Sequence, residues 1–142
     1  MILIDLKEEL HRQGCSCVIC SSSGRVESFT QRGVADLLYL LQTEEKKLKG
    51  AMVADKVVGK AAAALMIVGG VSRVYADVIS KPALNLFAQN NVEVHYGELV
   101  DMIINRSKTD FCPMEKLCLD IPTAQQCYPQ IVLLAEKLKS KS

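Results

Sequence analysis

The chain has 142 residues, of which 49% are hydrophobic and 23% charged. This length and composition fit one globular domain with a sizeable core, which excludes a wholly disordered protein. The net charge of +1 and the 5% aromatic content, without any Trp, provide neither a basic surface nor stacking platforms. We therefore expect no nucleic-acid partner.

Two apolar segments bear on localisation. The N-terminal segment, residues 1–7, is charged almost at once and lacks the long apolar core of a signal peptide. The longest apolar run, residues 61–68, is far shorter than the roughly 20 residues of a membrane-spanning helix. These features predict a cytoplasmic protein that has no membrane partner.

Six cysteines without a secretory signal indicate reduced thiols rather than a disulfide framework. Three of them, Cys15, Cys17 and Cys20, lie in a run that is typical of a strand. Alternation along a strand predicts that Cys15 and Cys17 face one side and Cys20 the other. A zinc site would need all three to converge together with a fourth ligand, so burial as small core residues is the preferred interpretation.

Hydrophobic periodicity and turn residues predict the secondary structure in chain order. The chain opens with a helix that is capped by Asp5 and stopped by Gly14. Further elements are predicted after it. They are strands 15–20 and 25–29, an amphipathic helix from Val34 to Leu41, strand 51–54, a helix from about 56 to 68, strand 73–79, a helix opened by Pro82, strand 92–95, short helices at 98–104 and from Pro113, and a last helix through Leu138.

The alternation of strands and helices after residue 51 implies right-handed crossovers and a parallel sheet. The opening hairpin adds an antiparallel strand to this sheet. We therefore predict an α/β fold, a three-layer α/β/α sandwich with a mixed sheet of about five strands. The chain is one domain over residues 1–142, with a C-terminal helical extension from about residue 98.

The first candidate site follows strand 51–54, because ligands of open α/β sheets bind beyond the strand ends and against helix N-termini. Asp55 at the predicted helix start, together with Lys56, Gly59 and Lys60, suits a small anion such as phosphate. Asn105 and Arg106, in a polar loop, would lie at its rim. Alternatively, Asp55 is an ordinary helix cap and Gly59 permits close packing. The Gly-Lys-Ser/Thr ending of a P-loop is missing.

The second candidate site is Cys112, which precedes the helix that begins at Pro113. A thiol at a helix N-terminus feels the positive end of the helix dipole, which favours the reactive thiolate. A nucleophilic cysteine also needs a base, and either Glu115 or His95 is available. Alternatively, His95 is an ordinary surface residue.

Three stretches of the sequence carry a family resemblance. They are residues 53–63 (Val-Ala-Asp-Lys-Val-Val-Gly-Lys-Ala-Ala-Ala), residues 96–106 (Tyr-Gly-Glu-Leu-Val, then Ile-Asn-Arg at its end) and residues 112–115 (Cys-Pro-Met-Glu). With the order helix, hairpin, helix, strand, helix, strand, helix, strand, the chain resembles a bacterial family of uncharacterised proteins with a cytidine deaminase-like fold. The resemblance covers the chain from about residue 15 to residue 120.

Active members of that superfamily hold Zn²⁺ through His-x-Glu at one helix start and Pro-Cys-x-x-Cys at the next. The corresponding positions here read Gln-Arg-Gly-Val-Ala-Asp at residues 31–36 and Asp-Lys-Val-Val-Gly at residues 55–59. All three zinc ligands are missing from these positions. The resemblance therefore implies the fold without zinc-dependent deamination, and we expect neither a metal nor a cofactor.

Three functional hypotheses follow. The favoured one is a binding module that holds a nucleotide-like or other anionic small molecule at the vestigial active site. The second is a zinc-independent transferase or hydrolase with Cys112 as nucleophile and Glu115 or His95 assisting. The third is a non-catalytic interaction protein. Because deaminase-like domains commonly assemble, the resemblance also implies a homo-oligomer.

Overall fold

The computed structural model describes residues 2–30, 34–103 and 113–140, which form one mixed sheet and the helices around it. A single 3-10 turn at Glu45–Lys47 follows the second helix. The elements are α1 (Leu3–Gln13), β1 (Cys17–Cys20), β2 (Val26–Phe29), α2 (Ala35–Thr43), β3 (Met52–Val58), α3 (Lys60–Gly69), β4 (Arg73–Ser80), α4 (Lys81–Gln89), β5 (Glu93–Val100), α5 (Pro113–Leu119) and α6 (Ala124–Ser140).

The sheet has five strands in the order β2-β1-β3-β4-β5. The hairpin strand β1 is antiparallel to both β2 and β3, whereas β3, β4 and β5 are parallel to one another. The mixed sheet and the N-terminal hairpin are confirmed, and so is the predicted order of elements through β5. Since crossovers between parallel strands are right-handed, α3 and α4 pack on the same face of the sheet.

Two buried clusters separate three layers. The larger cluster lies between the sheet and α2–α6, and it includes Leu40, Leu65 and Phe87. The smaller cluster lies between the sheet and α1, through Leu6 and Leu10. The three-layer sandwich is therefore confirmed, with α1 as the helix of one outer layer. In the described segments, no helix is both long and apolar enough to cross a membrane.

The predicted helix start at residue 56 is wrong, and so is the role of Asp55 as its cap. Strand β3 continues to Val58, and α3 begins at Lys60 with Gly59 as its N-cap. Asp55 and Lys56 interrupt the apolar pattern of β3, but pairing with the neighbouring strands β1 and β4 extends the strand. Asp55 lies opposite Cys17 of β1, and Val58 pairs with β4.

Strand β5 is also longer than predicted. It runs to Val100, where it pairs with Ser80. The helix predicted over residues 98–104 is therefore wrong over residues 98–103, the part that the structure describes. At the opposite end of the chain, the prediction that Asp5 is the N-cap of α1 is wrong, because the N-cap residue is Ile2. Asp5 lies in the first turn and accepts a hydrogen bond from the Ile2 N–H at 2.9 Å. The left-handed stop at Gly14 is confirmed by its φ of 65°.

The burial of the three N-terminal cysteines is confirmed, but their predicted grouping is wrong. Cys17 lies in the cluster beneath α2–α6, whereas Cys15 and Cys20 lie in the cluster beneath α1. Strand β1 begins only at Cys17, so the alternation of strand side chains does not reach back to Cys15.

Candidate functional site

The N-terminus of α3 follows the C-terminal end of β3, where ligands of open α/β sheets bind. Its N-cap residue, Gly59, has no side chain with which to cap the helix. Instead, the Lys60 backbone N–H donates a hydrogen bond of 2.6 Å to Glu115 Oε2 from α5. A carboxylate is favoured here because the helix N-terminus carries partial positive charge. The N-terminus of α3 is thus capped by a carboxylate from within the chain.

Gly59 leaves the room that this carboxylate needs. A Cβ at position 59 would lie 2.1 Å from Glu115 Oε2 and 3.2 Å from Ile103 Cγ1. The backbone at Gly59 is extended, with φ −95°, so the requirement for glycine is one of space. The prediction that Gly59 allows α3 to pack closely on the sheet is therefore not borne out, because the close neighbours are Glu115 of α5 and Ile103.

The side chain of Lys60 holds the other end of α5. Its Nζ donates to the carbonyl oxygen of Leu119 at 3.2 Å and to that of Ile121 at 2.7 Å. Glu115 therefore caps the N-terminus of α3, while Lys60 caps the C-terminus of α5. We call this reciprocal arrangement the α3–α5 clamp, formed by Gly59, Lys60, Glu115, Leu119 and Ile121.

One oxygen of the clamp has no partner. Glu115 is 1% exposed, and within the described parts of the chain its Oε1 accepts no hydrogen bond. Burying a polar atom without a partner costs about 1–3 kcal/mol, and more when the group is charged. The position therefore has unmet capacity for a hydrogen-bond donor.

The structure places Asp55 and Lys56 away from the clamp. Asp55 lies four residues before Gly59, which is about 13 Å along an extended strand. Lys56 is exposed, and its Nζ lies 3.4 Å from the Gly14 carbonyl oxygen at the end of α1. Of the four predicted binding residues that the structure describes, Gly59 and Lys60 are brought together here, whereas Asp55 and Lys56 are not.

Asp55 is instead a buried carboxyl group opposite Cys17 of β1 and near the half-buried Asp36 of α2. Burial raises the pKa of Asp55 to about 7, although hydrogen bonds from the backbone N–H groups of Val57 and Lys56 oppose the change. Asp36 of α2 raises this pKa further. Burial also raises the pKa of Cys17 opposite, and the charge of Asp55 adds to that effect. Sequence reasoning missed this group, because strand pairing creates it.

Three predicted site residues, Asn105, Arg106 and Cys112, lie outside the described residues. Catalysis by Cys112 therefore stays a prediction. Of its two candidate bases, Glu115 is engaged in the clamp, and His95 is exposed on β5 with its Nε2 3.3 Å from Glu93 Oε2.

Two further thiols lie beside the clamp. Cys118 of α5 and Cys127 of α6 are fully buried, and each thiol affects the pKa of the other. Burial raises the pKa of both thiols, and the positive charge of Lys60 only partly opposes this. They are therefore expected to react slowly while α5 is docked.

A second polar group, formed by His11, Tyr75 and Asp77, lies beneath α1. Sequence reasoning did not find this group either. Asp77 Oδ1 accepts a hydrogen bond from the Tyr75 hydroxyl at 2.8 Å and lies 2.7 Å from His11 Nε2. Burial, together with this hydrogen bond, raises the pKa of Tyr75 to about 12. Because His11 lies in the last turn of α1, the group anchors that helix to β4.

In the segments that the structure describes, no three His, Cys, Asp or Glu side chains are grouped so as to hold a metal ion. The fold and the clamp define a small α/β sandwich domain in which the N-terminus of α3 is capped by Glu115 of α5.

The chain belongs to the TM1506 family, a domain of unknown function (DUF1893), whose family model matches residues 5–134. A DUF1893 family protein from Thermotoga maritima, TM1506, has a crystal structure that superposes with a TM-score of 0.82. It is 28% identical, and the match covers 94% of this chain and 88% of that chain.

A diaminohydroxyphosphoribosylaminopyrimidine deaminase/5-amino-6-(5-phosphoribosylamino)uracil reductase from Thermotoga maritima matches with a TM-score of 0.44 and 14% identity. That match covers 67% of this chain and 35% of the other. Among the curated proteins, none matches this chain.

Proposed function

We propose that the protein binds a small anionic molecule of nucleotide-like chemistry at the N-terminus of α3. The observation that carries the proposal is the hydrogen bond of 2.6 Å from the Lys60 N–H to Glu115 Oε2. An oxyanion already occupies this helix end, and the space left by Gly59 accommodates its oxygen. A phosphate or carboxylate of a ligand meets the same donor and the same helix dipole.

The nucleotide-like part of the proposal rests on the resemblance to the cytidine deaminase-like fold. In that superfamily, the pocket at this helix start accepts a nucleobase. Because the zinc ligands are missing, the proposal assigns this helix start a role in binding rather than in hydrolysis. Lys60 and Gly59 are the described residues that the proposal assigns to the ligand, and Asn105 and Arg106 remain its proposed rim.

Thermal unfolding with inorganic phosphate, a nucleoside monophosphate and a nucleotide sugar tests the proposal. A ligand present at 100 times its Kd adds about 2.7 kcal/mol to the stability of the folded state, which raises Tm. The substitution Lys56→Ala is the matched control and should keep the shift, because the Lys56 Nζ lies beside the Gly14 carbonyl oxygen at the end of α1, away from the clamp. Gly59→Ala should remove the shift, since its methyl group takes the space of the bound oxygen.

Absence of a shift with all three ligands, both in the wild-type protein and in Glu115→Gln, would contradict the proposal.

We further expect a cytoplasmic homo-oligomer. Static light scattering that gives the mass of one chain at high protein concentration would refute this assembly.

A further inference from the structure

The clamp attaches a helix that is too short to be stable by itself. Helix α5 has seven residues, whereas isolated helices shorter than about 12 residues are marginal in water. Its position depends on the two hydrogen bonds at its C-terminal end, on the Glu115 carboxylate and on the burial of Cys118. Loss of the Glu115 contact therefore weakens the docking of the whole helix.

The Glu115 carboxylate and an external oxyanion cannot occupy the same position. Both need the Lys60 N–H, and Glu115 Oε2 already fills the gap above Gly59. Two negative charges at this distance would also repel each other in a buried site. Occupation by a ligand consequently requires that Glu115 leave.

The docked carboxylate is incompletely satisfied. Its Oε1 is buried without a hydrogen-bond partner among the described residues, so the docked state carries a desolvation cost that water removes when Glu115 is released. This cost reduces the free energy that a ligand must supply to displace it. Glu115 thus holds the site closed without saturating its own hydrogen-bonding capacity.

We propose that α5 is an internal competitor for the anion site: Glu115 occupies the site in the free protein, and a phosphate or carboxylate ligand displaces it together with α5. The inference rests on the proposed function and adds the regulation of that site. The apparent Kd is then the intrinsic Kd of the open site divided by the fraction of molecules in which α5 is undocked.

Release of α5 has a second, independent consequence. Cys118 is fully buried at its attachment to the core, so its thiol becomes accessible when α5 moves. Cys17 is buried in β1, on a central part of the sheet that the movement leaves intact. The two thiols therefore serve as reporter and internal control in one sample.

The first measurement is titration calorimetry with a nucleoside monophosphate and, separately, with inorganic phosphate. Glu115→Ala empties the site, and we expect its Kd to be at least tenfold lower than that of the wild-type protein. Glu115→Gln keeps an acceptor for the Lys60 N–H but loses the charge, so a smaller decrease in Kd is expected. Glu136→Ala, at an exposed position of α6, should leave Kd unchanged.

The second measurement is mass-spectrometric alkylation of the wild-type protein with and without the nucleoside monophosphate. We expect the ligand to increase the labelling rate of Cys118 at least fivefold while that of Cys17 stays constant. If Glu115→Ala fails to fold, Glu115→Gln and this labelling of the wild-type protein decide the question.

The outcomes separate the two proposals. Binding with the same Kd in the wild-type protein and both Glu115 variants overturns the competitor and leaves the proposed function standing. Tighter binding by the variants without labelling of Cys118 overturns the movement of α5. Absence of binding by every variant overturns the proposed function and the inference with it.

Discussion

The substitution Gly59→Ala tests the clamp through a single methyl group. The added Cβ would lie 2.1 Å from Glu115 Oε2 and 3.1 Å from its Cδ, so the carboxylate must leave the Lys60 N–H. A hydrogen bond to a charged group contributes about 1.5–3 kcal/mol. Because a φ of −95° suits alanine, the reduced entropy of the unfolded chain returns about 0.4–1 kcal/mol. The net destabilisation is about 1–2 kcal/mol.

Urea denaturation measures this change, and thermal unfolding should give a decrease in Tm of roughly 3–8 °C. A double-mutant cycle identifies its cause. If the methyl group acts by expelling the carboxylate, Gly59→Ala should cost little in a Glu115→Ala background, so the two losses are not additive. Full stability of Gly59→Ala, or strict additivity of the two substitutions, would show that the carboxylate does not occupy this position.

Three further predictions concern other buried groups. Because the pKa of Asp55 is raised from 3.8 to about 7 in the folded state, the free energy of unfolding should fall as pH rises from about 4 to 7, by about 4 kcal/mol at most. In urea denaturation, Asp55→Asn should abolish this fall. If the variant keeps the pH profile of the wild-type protein, the burial of a protonated carboxyl group at Asp55 is contradicted. Tyr75→Phe removes the hydrogen bond to Asp77 and should cost about 0.5–1.5 kcal/mol in the same assay, whereas no loss would mean that the hydroxyl contributes nothing to anchoring α1. Without ligand, Cys118 and Cys127 should resist iodoacetamide at pH 8 and react after denaturation, and rapid labelling of the native protein would contradict their burial.

The alternation of apolar runs predicts the order of the elements and the mixed sheet, because each run must bury one face. It does not predict where β3 ends. Asp55 and Lys56 interrupt the apolar pattern and suggest a helix start, but hydrogen bonding to β1 and β4 continues the strand to Val58. The β-branched pair Val57-Val58 was the local signal for a longer strand.

The clamp could not be predicted from local patterns. Lys60 and Glu115 are 55 residues apart, and their contact depends on how α5 packs against α3. The sequence indicated Lys60 as a residue at a helix start and Glu115 as an assistant to Cys112. It gave no signal that the two residues bind each other. Charge alone does not specify such a pair, because the chain has seventeen Lys and Arg residues and sixteen Asp and Glu residues.

The dependence of α3 on the C-terminal region constrains the order of events on the ribosome. The sheet and α3 are synthesised before α5, so the Lys60 N–H meets water rather than Glu115 until residue 115 has left the exit tunnel. Ala124, Cys127 and Ile131 of α6 also complete the main core and are fully buried. A nascent chain that ends before these residues exposes an apolar surface to chaperones and proteases. The domain can therefore complete its folding only after α5 and α6 have been synthesised.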